Sequence, residues 1–139
     1  MRIKINAKGI QFRVPKRADV TTKDGVTFIY GRPPIAGAFV KQYVKTKYPH
    51  IKCSVRSESF SMGNSLDVWI SEKNGNPVSD ENIVEDVRRF TDSFQYGRFN
   101  GMIDMYEYND NRYAMRSDEG VMVEAACKYV HVTNRERGW

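Results

Sequence analysis

Hydrophobic and polar residues alternate along most of this chain, and two stretches switch to helical spacing. Ile3 and Ile5 alternate with Lys4 and Asn6, and Ile10, Phe12 and Val14 with Gln11 and Arg13. A period of two marks a half-buried strand. Ala7-Lys8-Gly9 offers a turn between the two runs, which together read as a hairpin. Pro15 ends the second strand because it has no N–H for the ladder. Asp24-Gly25 is another turn signal, and Val26, Phe28 and Tyr30 follow at period two. Residues 1–31 are therefore expected to form a small β-meander.

Pro33-Pro34 opens a helix, where a missing N–H does no harm. Ile35, Phe39, Tyr43 and Val44 share one face of it. Lys41, Lys45 and Lys47 lie on other faces, the last two near the negative end of the dipole. Pro49 stops the helix near Tyr48. Beyond it Ile51, Cys53 and Val55 point one way, and Lys52, Ser54 and Arg56 the other. A turn around Gly63 returns the chain as Leu66, Val68 and Ile70, with Asp67 and Trp69 on the opposite face. Lys73 to Pro77 is a loop. Ser79 is the expected N-cap of a second helix, with Asp80 and Glu81 suited to its positive end. Ile83, Val87, Phe90 and Phe94 lay one stripe along it, and Gly97 is its expected C-terminal residue. Met102, Asp104, Tyr106 and Tyr108 alternate with Ile103, Met105 and Glu107, which predicts a strand with a polar-aromatic face. Residues 118–126 fit strand and helix equally, and residues 127–133 alternate again and close the sheet. The tail from Asn134 to Trp139 is expected to be loose. The pattern predicts an α+β fold with an antiparallel sheet, two principal helices and an added N-terminal β-meander, all in a single domain over residues 1–139.

A chain of 139 residues can bury a core without disulfides or metals. No long apolar run predicts a membrane span. Met1 to Ile5 alternates like a strand and unlike a signal peptide, so the expected location is the cytoplasm. In that reducing setting Cys53 and Cys127 are expected as buried thiols. The net charge of +5 is unevenly spread, at +11 over residues 1–57 and −6 over residues 58–139. Such asymmetry fits a surface for nucleic acid or an acidic partner; it also fits two halves that pack together and neutralise each other.

The motifs argue against catalysis. The sequence has no Gly-rich phosphate loop, no His-Glu-x-x-His and no Cys-x-x-Cys. His50 and His131 are its only histidines, and neither a metal nor a cofactor is expected. Asp104 and Glu107 fall on opposite faces of one strand, which makes them poor acid–base partners. Asp104 with Asp67 would need to meet across a sheet. A non-enzyme is expected. For nucleic acid, Lys52 and Arg56 share a strand face, and Phe60, Trp69, Tyr106 and Tyr108 lie near it. Cation-plus-aromatic sheets bind single strands by stacking and phosphate contact. The other reading is that Trp69 and the tyrosines fill the second face of a sheet under helices. The Arg98–Tyr108 run is open in the same way. Gly101 supplies a turn anchored by Phe99, Met102 and Ile103, or Arg98, Asp104, Tyr106 and Tyr108 face a partner.

Three segments resemble one family. They are the helix followed by Tyr48-Pro49-His50-Ile51-Lys52-Cys53-Ser54-Val55-Arg56-Ser57 and Asn64-Ser65-Leu66-Asp67-Val68-Trp69, then Arg98-Phe99-Asn100-Gly101-Met102-Ile103-Asp104-Met105-Tyr106-Glu107-Tyr108, and finally Lys128-Tyr129-Val130-His131-Val132-Thr133-Asn134-Arg135. Together they are similar to one of the large polyvalent protein-associated domains of phages and conjugative elements. The resemblance covers residues 35–135 and leaves residues 1–31 outside as an extension. After Trp69 this chain carries Ile70-Ser71-Glu72-Lys73-Asn74-Gly75-Asn76-Pro77, a longer loop than the family's pattern. The resemblance implies a mobile-element accessory protein. The expected function is non-enzymatic binding and inhibition of a host defence complex, of anti-CRISPR or antirestriction type. The expected basic face includes Lys41, Lys45, Lys52 and Arg56. The alternative is a nucleic-acid-binding module using a basic, aromatic-bearing sheet face.

Overall fold

The computed structural model describes residues 3–96, 99–100, 105–106 and 113–138. Strands β1 (Ile3–Ala7) and β2 (Ile10–Val14) form the first hairpin. Its turn puts Lys8 and Gly9 at φ 54° and 75°, the left-handed pair that suits the twist of a two-residue hairpin. Asp24 and Gly25 do the same, at φ 53° and 78°, between β3 (Val20–Lys23) and β4 (Val26–Gly31). The two hairpins do not make one continuous meander, because among the described residues β1 and β2 pair only with each other while β3 and β4 belong to another sheet.

Helix α1 (Pro33–Lys47) runs between the two prolines that frame it, and the Tyr48 N–H closes it on the Val44 carbonyl at 2.7 Å. Strands β5 (Ile51–Phe60) and β6 (Gly63–Glu72) form a long antiparallel hairpin. Helix α2 (Glu81–Asp92) follows. Its N-cap is Asp80, whose carboxylate accepts from the Asn82 N–H at 2.9 Å. Ser79, the residue expected there, instead gives its N–H to Glu72 at 3.4 Å. The helix also ends earlier than Gly97, because the chain turns out of it so that Phe94 and Tyr96 exchange backbone bonds with Cys127 at 2.9 and 3.0 Å. Phe99–Asn100 (β7) pairs with Met105–Tyr106 (β8). Strands β9 (Tyr113–Arg116), β10 (Met122–Ala125) and β11 (Tyr129–Asn134) complete the order, and the ambiguous stretch 118–126 resolves as the strand β10.

The sheets are mixed. One has the order β3-β4-β10-β9 and another β11-β6-β5. Consecutive strands pair antiparallel as expected, but β10 joins β4 in parallel and β11 joins β6 in parallel. Helix α1 lies between the β1–β2 hairpin and the buried face of β5 and β6. At Gly37 it comes so close that a Cβ would sit 3.2 Å from Leu66 Cδ1 and 3.3 Å from Val55 Cγ2.

The core is built round stacked rings. Tyr43 and Phe90 lie 4.0 Å apart and nearly parallel, Phe12 meets Phe39 edge-on at 5.6 Å, and Phe39 stacks on Phe94 at 6.2 Å. Burying each such ring is worth about 1.5–3 kcal/mol. Gln42 ties the hairpin to the helix by accepting from the Arg13 N–H at 2.7 Å and donating to the Arg13 carbonyl at 2.9 Å. Asn134 does the same for Val78, at 2.7 and 3.0 Å. Each amide acts as one extra residue of a strand ladder and keeps the backbone groups it meets paired. Among the described residues no helix is long and apolar enough to cross a membrane.

Candidate binding surface at the β5 edge

The β11-β6-β5 sheet has one face under the helices and one without them. Register sets the open face: Lys52 lies opposite Ser71, Ser54 opposite Trp69, and Arg56 opposite Asp67, with His131 and Thr133 beyond on β11. Trp69 is therefore not under a helix. Its ring is covered by Arg137, whose guanidinium carbon lies 4.9 Å from the ring centroid. Arg137 also donates to Ser54 Oγ at 3.2 Å and to the Val55 carbonyl at 3.4 Å, so the C-terminal segment is held against the sheet. At the far end of the same face, Phe60 and Tyr129 stack at 6.3 Å, and the Lys128 ammonium lies 5.6 Å from the Tyr129 centroid. Both rings are more than 40% exposed (44% and 43%), and neighbouring Met62 is 77% exposed.

Strand β5 is an edge strand, and the basic residues gather round its first half. Lys41 and Lys45 are one turn apart on α1. Pro49 ends the helix so that β5 runs back beside it. Ile51 pairs with Glu72, which delivers Lys73 to the same place. The result is a cavity of about 440 Å³ lined by Lys41, Gln42, Lys45, Pro49, Ile51, Lys52, Cys53 and Lys73. It has four lysines and no carboxylate in its wall. Burial pushes the Cys53 thiol up to about 11, against the opposing charge of Lys41, so it lines the cavity as a neutral thiol at ordinary pH. Lys52 also lines a smaller cavity of about 110 Å³ with Ser54, Trp69, Ser71, Arg135, Glu136 and Arg137. One carboxylate enters there, Glu136, 3.7 Å from the Lys52 ammonium, with both side chains half exposed. A cationic track thus passes from α1 around the β5 edge to Trp69.

Residues 34–138 match the profile of large polyvalent protein associated domain 29. The chain belongs to that family. Among curated proteins and among solved structures there is no match. The matched span takes in α1 and everything after it, including both cavities and the open sheet face. The hairpins β1–β2 and β3–β4 lie outside it. Membership in the large polyvalent protein associated domain 29 family points to a phage or mobile-element protein.

The expected site residues divide three ways. Lys41, Lys45 and Lys52 come together in the larger cavity, and Trp69 joins Lys52 in the smaller one. Arg56 stands farther along β5, on the same open face, paired with Glu58 at 3.7 Å. Arg98, Asp104 and Tyr108 lie outside the described residues, as does the side chain of Tyr106. Lys73, Arg135 and Arg137 join the surface without having been singled out in the sequence. Lys73 stands in a loop and the two arginines in the tail, where no periodicity ties them to a face. His50 and His131 are exposed and apart in the chain, and among the described residues no three His, Cys, Asp or Glu gather as metal ligands.

A polar cluster on the other side of α1 is structural. Asp86 of α2 accepts from the Tyr43 hydroxyl at 2.9 Å, the Tyr48 hydroxyl at 2.5 Å and the Lys47 ammonium at 2.8 Å. Burial alone would raise the Asp86 carboxyl, but the bonds from Lys47, Tyr48 and Tyr43 outweigh it and hold the group below the usual carboxylate range. Burial and the bond to Asp86 push the Tyr48 phenol up to about 12. Lys47 is thereby committed to the helix–helix contact and turned away from Lys41 and Lys45.

Proposed function

We propose that this domain is a non-enzymatic accessory module of a phage or conjugative element that binds and inhibits a host defence complex of the CRISPR or restriction type. The contact is the β5 edge. The observation that carries this reading is the convergence of Lys41, Lys45, Lys52 and Lys73 on one concavity, next to a tryptophan stacked under an arginine. A concave surface of one charge sign draws an oppositely charged partner and speeds its approach. Arginine and aromatic side chains are the commonest energetic anchors of protein contacts. The open sheet face adds exposed Phe60, Met62 and Tyr129, interleaved with paired charges such as Arg56–Glu58. Exposed apolar and charged groups side by side suit a protein partner.

Direct binding of single-stranded nucleic acid is the second reading, favoured by Trp69 lying among Lys52, Arg135 and Arg137. Capture from a lysate carrying active restriction and CRISPR systems separates the two. The leading reading expects a stoichiometric defence protein that survives nuclease treatment and is lost with the Lys41→Glu/Lys45→Glu/Lys52→Glu variant. Capture that disappears with nuclease, or that the variant leaves intact, refutes it.

A further inference from the structure

We propose that the lysine cavity between α1 and the start of β5 is a phosphate-binding site for a compact, phosphate-bearing ligand. The proposal rests on the β5 edge being the binding surface, yet it concerns the free protein, so it stands or fails apart from any host partner.

The charge pattern is the first ground. Lys41 and Lys45 sit one helical turn apart, a spacing at which like charges repel, and Lys52 and Lys73 face them across the cavity. Such crowding weakens the protein unless something negative is gathered there. Among the described residues none of Lys41, Lys45 and Lys73 has a carboxylate within ion-pair reach, whereas Lys47 of the same helix is paired with Asp86 and Lys52 with Glu136. The Gln42 amide in the wall is already spent on the Arg13 backbone and does not supply a competing acceptor.

The second ground is shape. Pro49, Ile51 and Cys53 add apolar lining beside the lysines. A lining of low polarity strengthens the attraction of each lysine for an anion. Lysines are compact point charges that suit phosphate oxygens approached from several sides. A volume of about 440 Å³ falls in the range of small-ligand sites.

The test is calorimetric titration of the intact protein with inorganic pyrophosphate at about 0.1 M ionic strength, where the Debye length is about 10 Å. One saturable site is expected. Lys41→Gln/Lys45→Gln should weaken it by about tenfold or more, since each lost charged hydrogen bond is worth about that factor. Lys8→Gln/Lys16→Gln removes the same charge from exposed positions that do not line the cavity and should change affinity less than about twofold. Equal weakening by both variants would mean a diffuse charge effect and would overturn the proposal, as would no saturable binding to the wild-type protein. Thermal unfolding of each variant confirms that the fold is kept. Titration with a nucleoside triphosphate, and with an oligonucleotide carrying a 5′-phosphate or a 5′-hydroxyl, then tells a free nucleotide from a nucleic-acid end.

Discussion

Removing the Asp86 carboxylate should loosen α1 from α2 in a pH-dependent way. Three donors converge on it, from Tyr43, Tyr48 and Lys47. A hydrogen bond to a charged group contributes about 1.5–3 kcal/mol. The Lys47 side chain is 43% exposed, so its share is nearer the about 0.2–1 kcal/mol of a surface pair. The two tyrosine bonds dominate, and Asp86 itself is 21% exposed. The two tyrosine bonds would sum to about 3–6 kcal/mol, and the partial exposure of the cluster brings the expected loss for Asp86→Ala down to about 2–4 kcal/mol at pH 7. The folded carboxyl lies below its usual range, so this stability is fully present above the unfolded value of about 3.9. It fades as pH falls through the folded value. Urea unfolding of the wild type and Asp86→Ala at pH 7, 5 and 3 reads this directly from the midpoints. The difference between the two should be similar at pH 7 and 5 and clearly smaller at pH 3. A loss under about 0.5 kcal/mol at pH 7, within the range of an ordinary surface change, or a loss unaltered by pH, would refute the reasoning.

Other predictions concern positions where the backbone depends on one side chain. Asn134→Ala leaves both backbone groups of buried Val78 without their partner and should cost about 1–3 kcal/mol in urea unfolding. Gly31→Ala would press a Cβ into the Glu124 carbonyl where β4 runs beside β10, so a cost of about 1–3 kcal/mol or more is expected from the same measurement. Glu119 accepts from the backbone N–H and side chain of Asn6 at 3.0 and 2.6 Å, which holds its carboxyl at about 2. Its contribution is present above the ordinary glutamate range and lost as pH falls toward 2. Glu119→Gln should therefore lower Tm at pH 7 and converge on the wild type near pH 2.

Much of the fold was legible because the chain announces its own boundaries. Pro33-Pro34 and Pro49 bracket α1, the Lys8-Gly9 and Asp24-Gly25 pairs mark two hairpin turns, and alternation put Lys52 and Arg56 on one face of β5 and Asp67 and Trp69 on one face of β6. What failed was non-local. Val123 pairs in parallel with Ile29 across most of the chain, and local alternation does not distinguish parallel from antiparallel neighbours. Ser79 and Asp80 are equally good caps by chemistry, and the cap fell to Asp80 because the helix starts at Glu81. The site was half legible. Lys41, Lys45 and Lys52 were read as one basic face, but Lys73 reaches it only through the pairing of Ile51 with Glu72. Arg137 reaches Trp69 only because the tail folds back over the open sheet.

The most direct test of the function is the plating efficiency of an unmodified, targeted phage on a host with active restriction or CRISPR immunity that expresses this protein. The account predicts that the wild type restores plaques and that folded Lys41→Glu/Lys45→Glu/Lys52→Glu does not. Plating that stays low with the wild type against every such system, or is restored equally by the variant, would contradict it.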